Sequence, residues 1–225
     1  IDRRLTQMKA EGTTFRAGVN VGVDITADRL RSDFDAVVLT GGATAARDLP
    51  IPGRQFEGIY QAMEYLPWAN RVQQGDPVVD EDGQPPITAK DKRVVIIGGG
   101  DTGADCLGTA HRQGAASVHQ FEIMPRPPET RADSTPWPTY PLMFRVSSAH
   151  EEGGERVFSV NTEKFLGEGG KVTGLRAHEV EMKDGRFERV DGSDFDLDAD
   201  LVLLAMGFVG PEKPGLLTDL GGELT

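Results

Sequence analysis

Three closely spaced glycines have the pattern of a loop that binds phosphate groups. Gly98, Gly100 and Gly103 directly follow an apolar run at 94–97, and the residues after them suit a helix. In such a loop the first glycine permits a tight turn, the second lets the backbone approach a pyrophosphate, and the third allows close helix–strand packing. The unpaired N–H groups and the positive end of the helix dipole then face the phosphates. A glycine-rich turn can be purely structural, but the flanking strand and helix favour a dinucleotide site.

The other residues of the loop belong to the same predicted site. They are Gly99, Asp101 and Thr102. Asp101 and Thr102 stand at the start of the helix, where capping or a dipole interaction explains them as well as direct contact with a ligand does.

A carboxylate stands where a dinucleotide fold normally recognises ribose, about 20 residues after the glycine loop. Glu122 follows Gly98 by 24 residues, at the end of the next predicted strand. A carboxylate there accepts hydrogen bonds from both ribose hydroxyls and repels a 2′-phosphate, which favours NADH over NADPH. Arg126 and Arg131, on the adjoining loop, can reach a phosphate and favour the opposite choice. A solvent-facing Glu122 without a ligand role is the remaining alternative.

The composition is that of a globular protein with a large negative charge. The 225 residues are 38% hydrophobic and 27% charged, and the formal net charge is −12. A negative surface repels nucleic acid and anionic membranes, so we expect neither as a partner. The sequence has no apolar run of membrane-spanning length and no signal peptide at its start, and we therefore expect a cytoplasmic protein.

Cysteine and histidine usage argues against metal chemistry. Cys106 is the only cysteine, which excludes a disulfide within the chain and a cysteine-ligated cluster. We interpret Cys106 as a small core residue rather than a reactive thiol. The four histidines have no metal-ligand spacing, so we predict no metal site.

The order of the predicted elements indicates an α/β fold. Buried strands are predicted at 34–43, 93–97, 117–123 and 200–207, helices at 1–11, 59–72 and 101–113, and an antiparallel β-meander at 156–190. A proline-rich irregular loop is predicted at 125–141. Strand, glycine loop, helix and strand in this order predict a Rossmann-like NAD(P)-binding domain with a parallel sheet.

Several separate stretches of the sequence resemble one family of flavoproteins. The stretches are 98–106, 121–128, 147–154 and 201–212. Together they identify the chain as similar to the small (beta) subunit of glutamate synthase, and the resemblance covers nearly the whole chain. It implies that hydride passes from NAD(P)H to FAD, and that electrons then pass through iron–sulfur clusters to the large (alpha) subunit. There they help convert glutamine and 2-oxoglutarate to glutamate.

The resemblance also implies a domain organisation in which the NAD(P)-binding domain is inserted in a truncated FAD-binding domain. Residues 1–49 would be a partial FAD-binding domain, 50–206 the NAD(P)-binding domain, and 207–225 the return into the FAD-binding domain, with Gly207 among the cofactor-binding residues. The flavin fingerprint and the cysteine-rich region of the family are missing, and the chain does not begin with Met. We therefore expect an excised piece that binds NAD(P)H, does not retain FAD, holds no iron–sulfur cluster and is inactive alone.

Two other functions remain open at this stage. One is another FAD-dependent NAD(P)H reductase, such as a ferredoxin–NAD(P) reductase-like protein or the reductase part of a pyrimidine-reducing enzyme. The other is a domain that senses a nucleotide without turnover. The sequence shows no pairing of nucleophile and base, which agrees with hydride transfer, because there the cofactor carries the chemistry.

Overall fold

The chain folds into two compact units. The computed structural model describes residues 1–76 and 87–222. One unit comprises Ile1–Ala45 and Val209–Thr225, and the other comprises Ala46–Phe208. The end of the predicted return segment, 223–225, lies outside the described residues. We call these unit 1 and unit 2, and number the elements in chain order.

Unit 1 contains short helices joined by irregular segments. The helices are α1 (Asp2–Ala10), α2 (Ala27–Asp33) and α6 (Leu216–Asp219). Two short strands, β1 (Ala45–Ala46) and β11 (Phe208–Gly210), fall at the points where the chain passes from one unit to the other. The predicted first helix is present and ends before Gly12, whose φ is +98°.

A five-stranded parallel sheet forms the centre of unit 2. Its strands are β2 (Ile59–Gln61), β3 (Arg93–Ile97), β4 (Ser117–Glu122), β5 (Glu155–Phe158) and β10 (Leu201–Leu204). They lie in the order β2-β10-β3-β4-β5, and each neighbouring pair is parallel. This confirms the predicted parallel sheet of the α/β class.

The two central strands of the sheet, β10 and β3, are apolar from Leu201 to Leu204 and from Val94 to Ile97, because both of their faces are covered. On one face Val94 and Ile96 pack with Leu107 and Tyr65, from the helices α4 (Asp101–Arg112) and α3 (Ala62–Gln74). On the other face Val95 packs against the antiparallel strands described next. A third helix, α5 (Ser148–Glu151), precedes β5.

The antiparallel strands of unit 2 lie between β5 and β10 along the chain. They are β6 (Val160–Glu168), β7 (Lys171–Lys183), β8 (Arg186–Arg189) and β9 (Phe195–Asp198). β7 pairs with the other three. Asp184 and Gly185 both have positive φ at the β7–β8 turn, as a two-residue hairpin requires. The predicted meander is confirmed except at its start, because Arg156 belongs to β5 of the parallel sheet.

The helix predicted at 59–72 begins later in the structure than its apolar spacing suggests. Ile59 lies in β2 instead, in register with Val202 of β10. The Gln61 N–H donates to Glu64 Oε2 at 2.7 Å, and this capping interaction sets the start of α3 at Ala62. The capping interaction, and not the apolar spacing, decides where α3 begins.

The buried strand predicted at 34–43 is wrong in this structure. The segment is irregular and exposed, and Val38 is 84% exposed. An apolar run becomes a strand only when a neighbouring strand satisfies its backbone groups. In the described part of unit 1, no strand pairs with these residues.

A network of charges joins the starts of the two central strands. Asp200 accepts hydrogen bonds from the Arg93 backbone N–H at 2.9 Å and from its guanidinium at 2.9 and 2.7 Å. Asp198 accepts a further bond from Arg93 at 2.6 Å. The hydrogen bond from the Arg93 guanidinium is the main reason why the pKa of Asp200 lies below its usual value.

We expect Asp200→Asn to lower the free energy of unfolding by about 1 kcal/mol at pH 7, since the carboxylate is about 40% exposed and solvent screens the pair. A lowered pKa stabilises the fold above the unfolded-state pKa of about 4, and the effect disappears as pH falls through the folded-state pKa. Urea unfolding should therefore show a constant difference from the parent chain between pH 5 and 7, which shrinks below about pH 4. Asp198→Asn, at a 78% exposed side chain, is the control and should change little. A difference for Asp200→Asn that grows in acid would contradict this account.

Candidate nucleotide-binding site

The predicted glycine loop lies at the carboxyl ends of the parallel strands. The loop leaves β3 after Ile97, Glu122 ends β4, and Ala205 follows β10. These ends surround an open cavity of about 640 Å³ that the loop residues Gly98 to Thr102 line together with Glu122 and Gly207. Ligands of open α/β sheets bind at this edge.

Each glycine of the loop meets a different steric demand. Gly98 has a φ of +128°, and a Cβ there would clash with the Ala205 carbonyl. At Gly103 a Cβ would clash with the Gly98 carbonyl oxygen and with the Gln120 amide, so a side chain would push α4 away from the sheet. At Gly100 nothing lies within 4 Å of where a Cβ would be, although the residue faces the cavity. This open space over a helix N-terminus fits a pyrophosphate.

Two N–H groups of the loop are already hydrogen-bonded within the protein. The Gly98 N–H donates to the Phe121 carbonyl at 2.8 Å, and the Gly99 N–H donates to Glu122 Oε2 at 2.8 Å. At the start of α4, however, no side chain of the described residues caps the helix. Asp101 and Thr102, in its first turn, line the cavity. The N–H groups at the start of α4 therefore remain for a ligand, whereas the Gly99 N–H is already bonded to Glu122.

The structure brings Glu122 against the glycine loop, 23 residues away in the chain from Gly99. Its second oxygen, Oε1, accepts a hydrogen bond from the Met124 N–H at 2.9 Å. Both carboxylate oxygens thus hold backbone amides, and each keeps lone pairs free for a further donor. Glu122 lines the cavity as well.

The sequence pattern did not indicate a buried polar network that lies behind the loop. Gln120 is 1% exposed; its amide donates to the Gly98 carbonyl at 2.9 Å, and its oxygen lies 3.0 Å from His150 Nε2. The Ser147 N–H lies 3.2 Å from His150 Nδ1 and donates to it, so Nε2 carries the proton and donates to Gln120. Burial, then the charge of Arg156, lowers the pKa of His150, which favours this neutral form. The available signal was a glutamine between the apolar residues Val118 and Phe121 of a predicted strand.

The two arginines predicted to reach a phosphate lie elsewhere on their loop. The Arg126 guanidinium pairs with Glu129 at 2.6 Å and stacks on Phe144. Arg131 donates to the carbonyls of Thr135 and Thr139, at 3.0 and 3.3 Å, within its own loop. Neither is among the residues that line the cavity.

Cys106 is fully buried on the face of α4 that packs on the sheet. Burial raises the pKa of its thiol to about 12, so the thiol stays protonated at neutral pH. It packs as a core residue, as predicted.

The histidines have no metal-ligand spacing along the chain, but the fold brings three potential ligands together. Glu163, His178 and Asp194 each have one ligand atom here, and these three atoms lie within 4.8 Å of one another. Arg189 forms ion pairs with Asp194 and with Glu163, the latter at 3.2 Å. The guanidinium already supplies the positive charge between these carboxylates.

Helices of a length and hydrophobicity suited to crossing a membrane do not occur in the described ranges 1–76 and 87–222.

The space around Gly103 and Gly100 predicts that their alanine substitutions lower the free energy of unfolding by different amounts. We expect Gly103→Ala to lower the free energy of unfolding by about 1–3 kcal/mol, because the new methyl group meets backbone and a buried amide. Gly100→Ala should cost no more than about 1 kcal/mol, the difference between glycine and alanine at a helix N-cap. Chemical denaturation of the two variants measures this, and equal costs would contradict the geometry.

The buried network predicts that Gln120→Leu lowers the free energy of unfolding, although leucine and glutamine have similar volumes. The Gly98 carbonyl and His150 Nε2 would each lose a buried partner, at about 1–3 kcal/mol for each group. The measurement is again denaturant unfolding. A Gln120→Leu variant as stable as the parent chain would show that these groups find other partners.

Comparison with known proteins agrees with this geometry. Over 225 residues the chain is 77% identical to the glutamate synthase (NADPH) small chain of Mycobacterium tuberculosis, covering 100% of this chain and 46% of that protein. It is 41% identical over 227 residues to the glutamate synthase (NADH) of Schizosaccharomyces pombe, covering 95% of this chain and 11% of that protein. The resemblance predicted from the sequence is thereby confirmed, and the chain spans about half the length of the small chain it matches.

The fold is also similar to that of a solved reductase. The crystal structure of T. acidophilum thioredoxin reductase matches with a TM-score of 0.52 and 19% identity, over 82% of this chain and 47% of that chain. The family model described as pyridine nucleotide-disulphide oxidoreductase matches residues 5–209. The chain therefore belongs to the pyridine nucleotide-disulphide oxidoreductase family.

Proposed function

We propose that this chain is the NAD(P)H-binding part of a glutamate synthase small subunit, and that it delivers hydride from NAD(P)H to FAD. The observation that carries the proposal is the open space over Gly100, at the uncapped start of α4 and at the carboxyl edge of a parallel sheet. The 77% identity to the M. tuberculosis small chain supports the choice of this reaction over that of other reductases.

The residues of the site divide the binding of a dinucleotide among them. The first turn of α4, with Gly100, Asp101 and Thr102, would hold the pyrophosphate through backbone N–H groups and the helix dipole. The free lone pairs of Glu122 would accept hydrogen bonds from ribose hydroxyls. The position of Glu122, fixed by its bonds to Gly99 and Met124, sets where that ribose lies.

The rest of the large cavity suits the nicotinamide half of the ligand. Leu49, Ile97 and Met206 give it apolar walls, and Gly207, with a φ of +79°, completes the edge after β10. Few polar groups among apolar walls orient a flat ring. Hydride transfer is the chemistry of the nicotinamide and flavin rings themselves, and the contribution of the protein is to bind and orient them.

The proposal extends to the assembly in which the chain works. Electrons would continue through iron–sulfur clusters outside this chain to the large (alpha) subunit, where glutamine and 2-oxoglutarate yield glutamate. A cytoplasmic location for this assembly is part of the proposal. The proposal also assigns the domains: unit 2 would be the NAD(P)-binding domain, and unit 1 would belong to the FAD-binding domain.

Calorimetric titration of the chain with NADH and NADPH tests the proposal. We expect binding of at least one of the two nucleotides, and a loss of at least about 10-fold in affinity in Gly100→Ala, because the methyl group occupies the space of a phosphate oxygen. Gly41→Ala is the matched control, since Gly41 also has open space around it but lies outside the site. If Gly100→Ala binds like the parent chain while remaining folded, the loop is not the pyrophosphate site.

A further inference from the structure

The three potential metal ligands of the antiparallel region lie beside a cavity of their own. Glu163 is on β6, His178 is on β7, and Asp194 directly precedes β9. The cavity measures about 460 Å³ and is lined by both carboxylates together with Arg176 and Arg189. None of the residues that line it lines the large cavity at the glycine loop. An ion from solvent can therefore reach these carboxylates without entering the nucleotide site.

His178 is the buried member of this group. The residue is 7% exposed, and its Nδ1 atom is buried without a hydrogen-bond partner among the residues that the structure describes. Nδ1 lies 3.7 Å from Glu163 Oε2, which is too far for a hydrogen bond. Buried polar atoms nearly always have a partner. An imidazole nitrogen without one, directed at a carboxylate, indicates a ligand between the two.

Arg189 supplies positive charge here but does not satisfy these atoms. Its guanidinium forms ion pairs with Asp194 and, at 3.2 Å, with Glu163 Oε2. Glu163 Oε2 is nevertheless buried without a hydrogen bond in the described part of the chain. The Arg189 side chain is 44% exposed at the end of β8, so it can turn into solvent without opening the core. A metal ion can approach all three ligand atoms to about 2 Å, which a planar guanidinium cannot do.

The ligand atoms and their spacing fit zinc. Ligand atoms of a tetrahedral zinc site lie about 2.0–2.2 Å from the ion, and hence about 3.4 Å from one another. The separation of 3.7 Å between His178 Nδ1 and Glu163 Oε2 is close to this value, and Asp194 completes a group within 4.8 Å. Zinc accepts imidazole nitrogen together with carboxylate oxygen, whereas Mg²⁺ and Ca²⁺ prefer oxygen ligands alone. Small rotations of these side chains would close the site.

Asn161 contacts the other nitrogen of the same imidazole. Asn161 Nδ2 lies 3.3 Å from His178 Nε2 and donates to it, so the proton of the ring is on Nδ1. A turn of the Asn161 amide by about 180° would bring its oxygen to Nε2, which then donates and leaves the Nδ1 lone pair to a metal. Metal-binding histidines commonly donate their second N–H to an oxygen in this way.

We propose that Glu163, His178 and Asp194 bind one Zn²⁺ ion, which takes the place of the Arg189 guanidinium between the two carboxylates. The ion ties β6 and β7 to the segment that precedes β9 and so stabilises the antiparallel sheet. This site takes no part in hydride transfer, and its test needs no nucleotide.

Calorimetric titration of the metal-free 225-residue chain with zinc chloride tests the site. We expect one Zn²⁺ ion per chain, and an affinity at least about 10-fold lower in His178→Gln and in Glu163→Gln, because each variant loses a ligand. His119→Gln is the matched control and should bind like the parent chain. His119 also pairs with a carboxylate, that of Glu155 at 3.3 Å, but it does not belong to the group of three ligands.

Arg189 provides a second test, which does not alter a buried residue. Arg189→Gln should raise the zinc affinity by about 3- to 10-fold, because the competing cation is removed from two carboxylates. Arg186→Gln, at an exposed arginine of the same strand outside this group, is the control and should have no effect.

Three outcomes would overturn the zinc site and leave the proposed function standing. They are failure of the parent chain to bind zinc, an unchanged affinity in Glu163→Gln, and a lower affinity in Arg189→Gln. Circular dichroism shows whether each variant is folded. If His178→Gln does not fold, Glu163→Gln decides, since its side chain is 39% exposed and its replacement leaves the core intact.

Discussion

The site depends on how closely α4 begins against the sheet. Gly103 lies where a Cβ would strike the Gly98 carbonyl and the Gln120 amide, and Gly98 turns under the Ala205 carbonyl. This contact brings the first turn of α4 to the carboxyl edge of the strands, where its unpaired N–H groups face a cavity. Gln120 maintains the contact from behind, because its buried amide needs the Gly98 carbonyl and His150 as partners. The shape of the glycine loop is thus a consequence of backbone packing.

Positive groups stand beside the carboxylates of Asp101 and Glu122 in the site, although the whole molecule is negative. The chain has a formal net charge of −12, yet Arg47 lines the large cavity, and Arg145 and Arg156 line a smaller cavity that shares Glu122 with it. A helix N-terminus adds its own positive potential. Local groups within a few ångströms act on an anionic ligand more strongly than distant surface charges, which salt screens. A negative overall charge is therefore compatible with a site for a negative nucleotide.

Two differences between expectation and structure have the same physical origin. The apolar run at 34–43 looks like a buried strand, and Ile59 continues the apolar spacing of α3, but the first is exposed and the second belongs to β2. Hydrophobic pattern reports what a segment would gain by burial, not whether a partner is there to bury it. β10 supplies that partner for Ile59, whereas no described strand pairs with 34–43.

The sequence by itself determined the local features of this protein: the spacing of Gly98, Gly100 and Gly103, the buried strands on either side of α4, and the hairpins of the antiparallel region. These depend on backbone conformation and apolar periodicity, which neighbouring residues set among themselves. Only the tertiary structure decided which distant groups meet. It placed β10 beside β3, joined Gln120 to His150, and brought Arg156 and Arg126 to the same aromatic ring. Such contacts join residues far apart in the chain, and no local pattern records them.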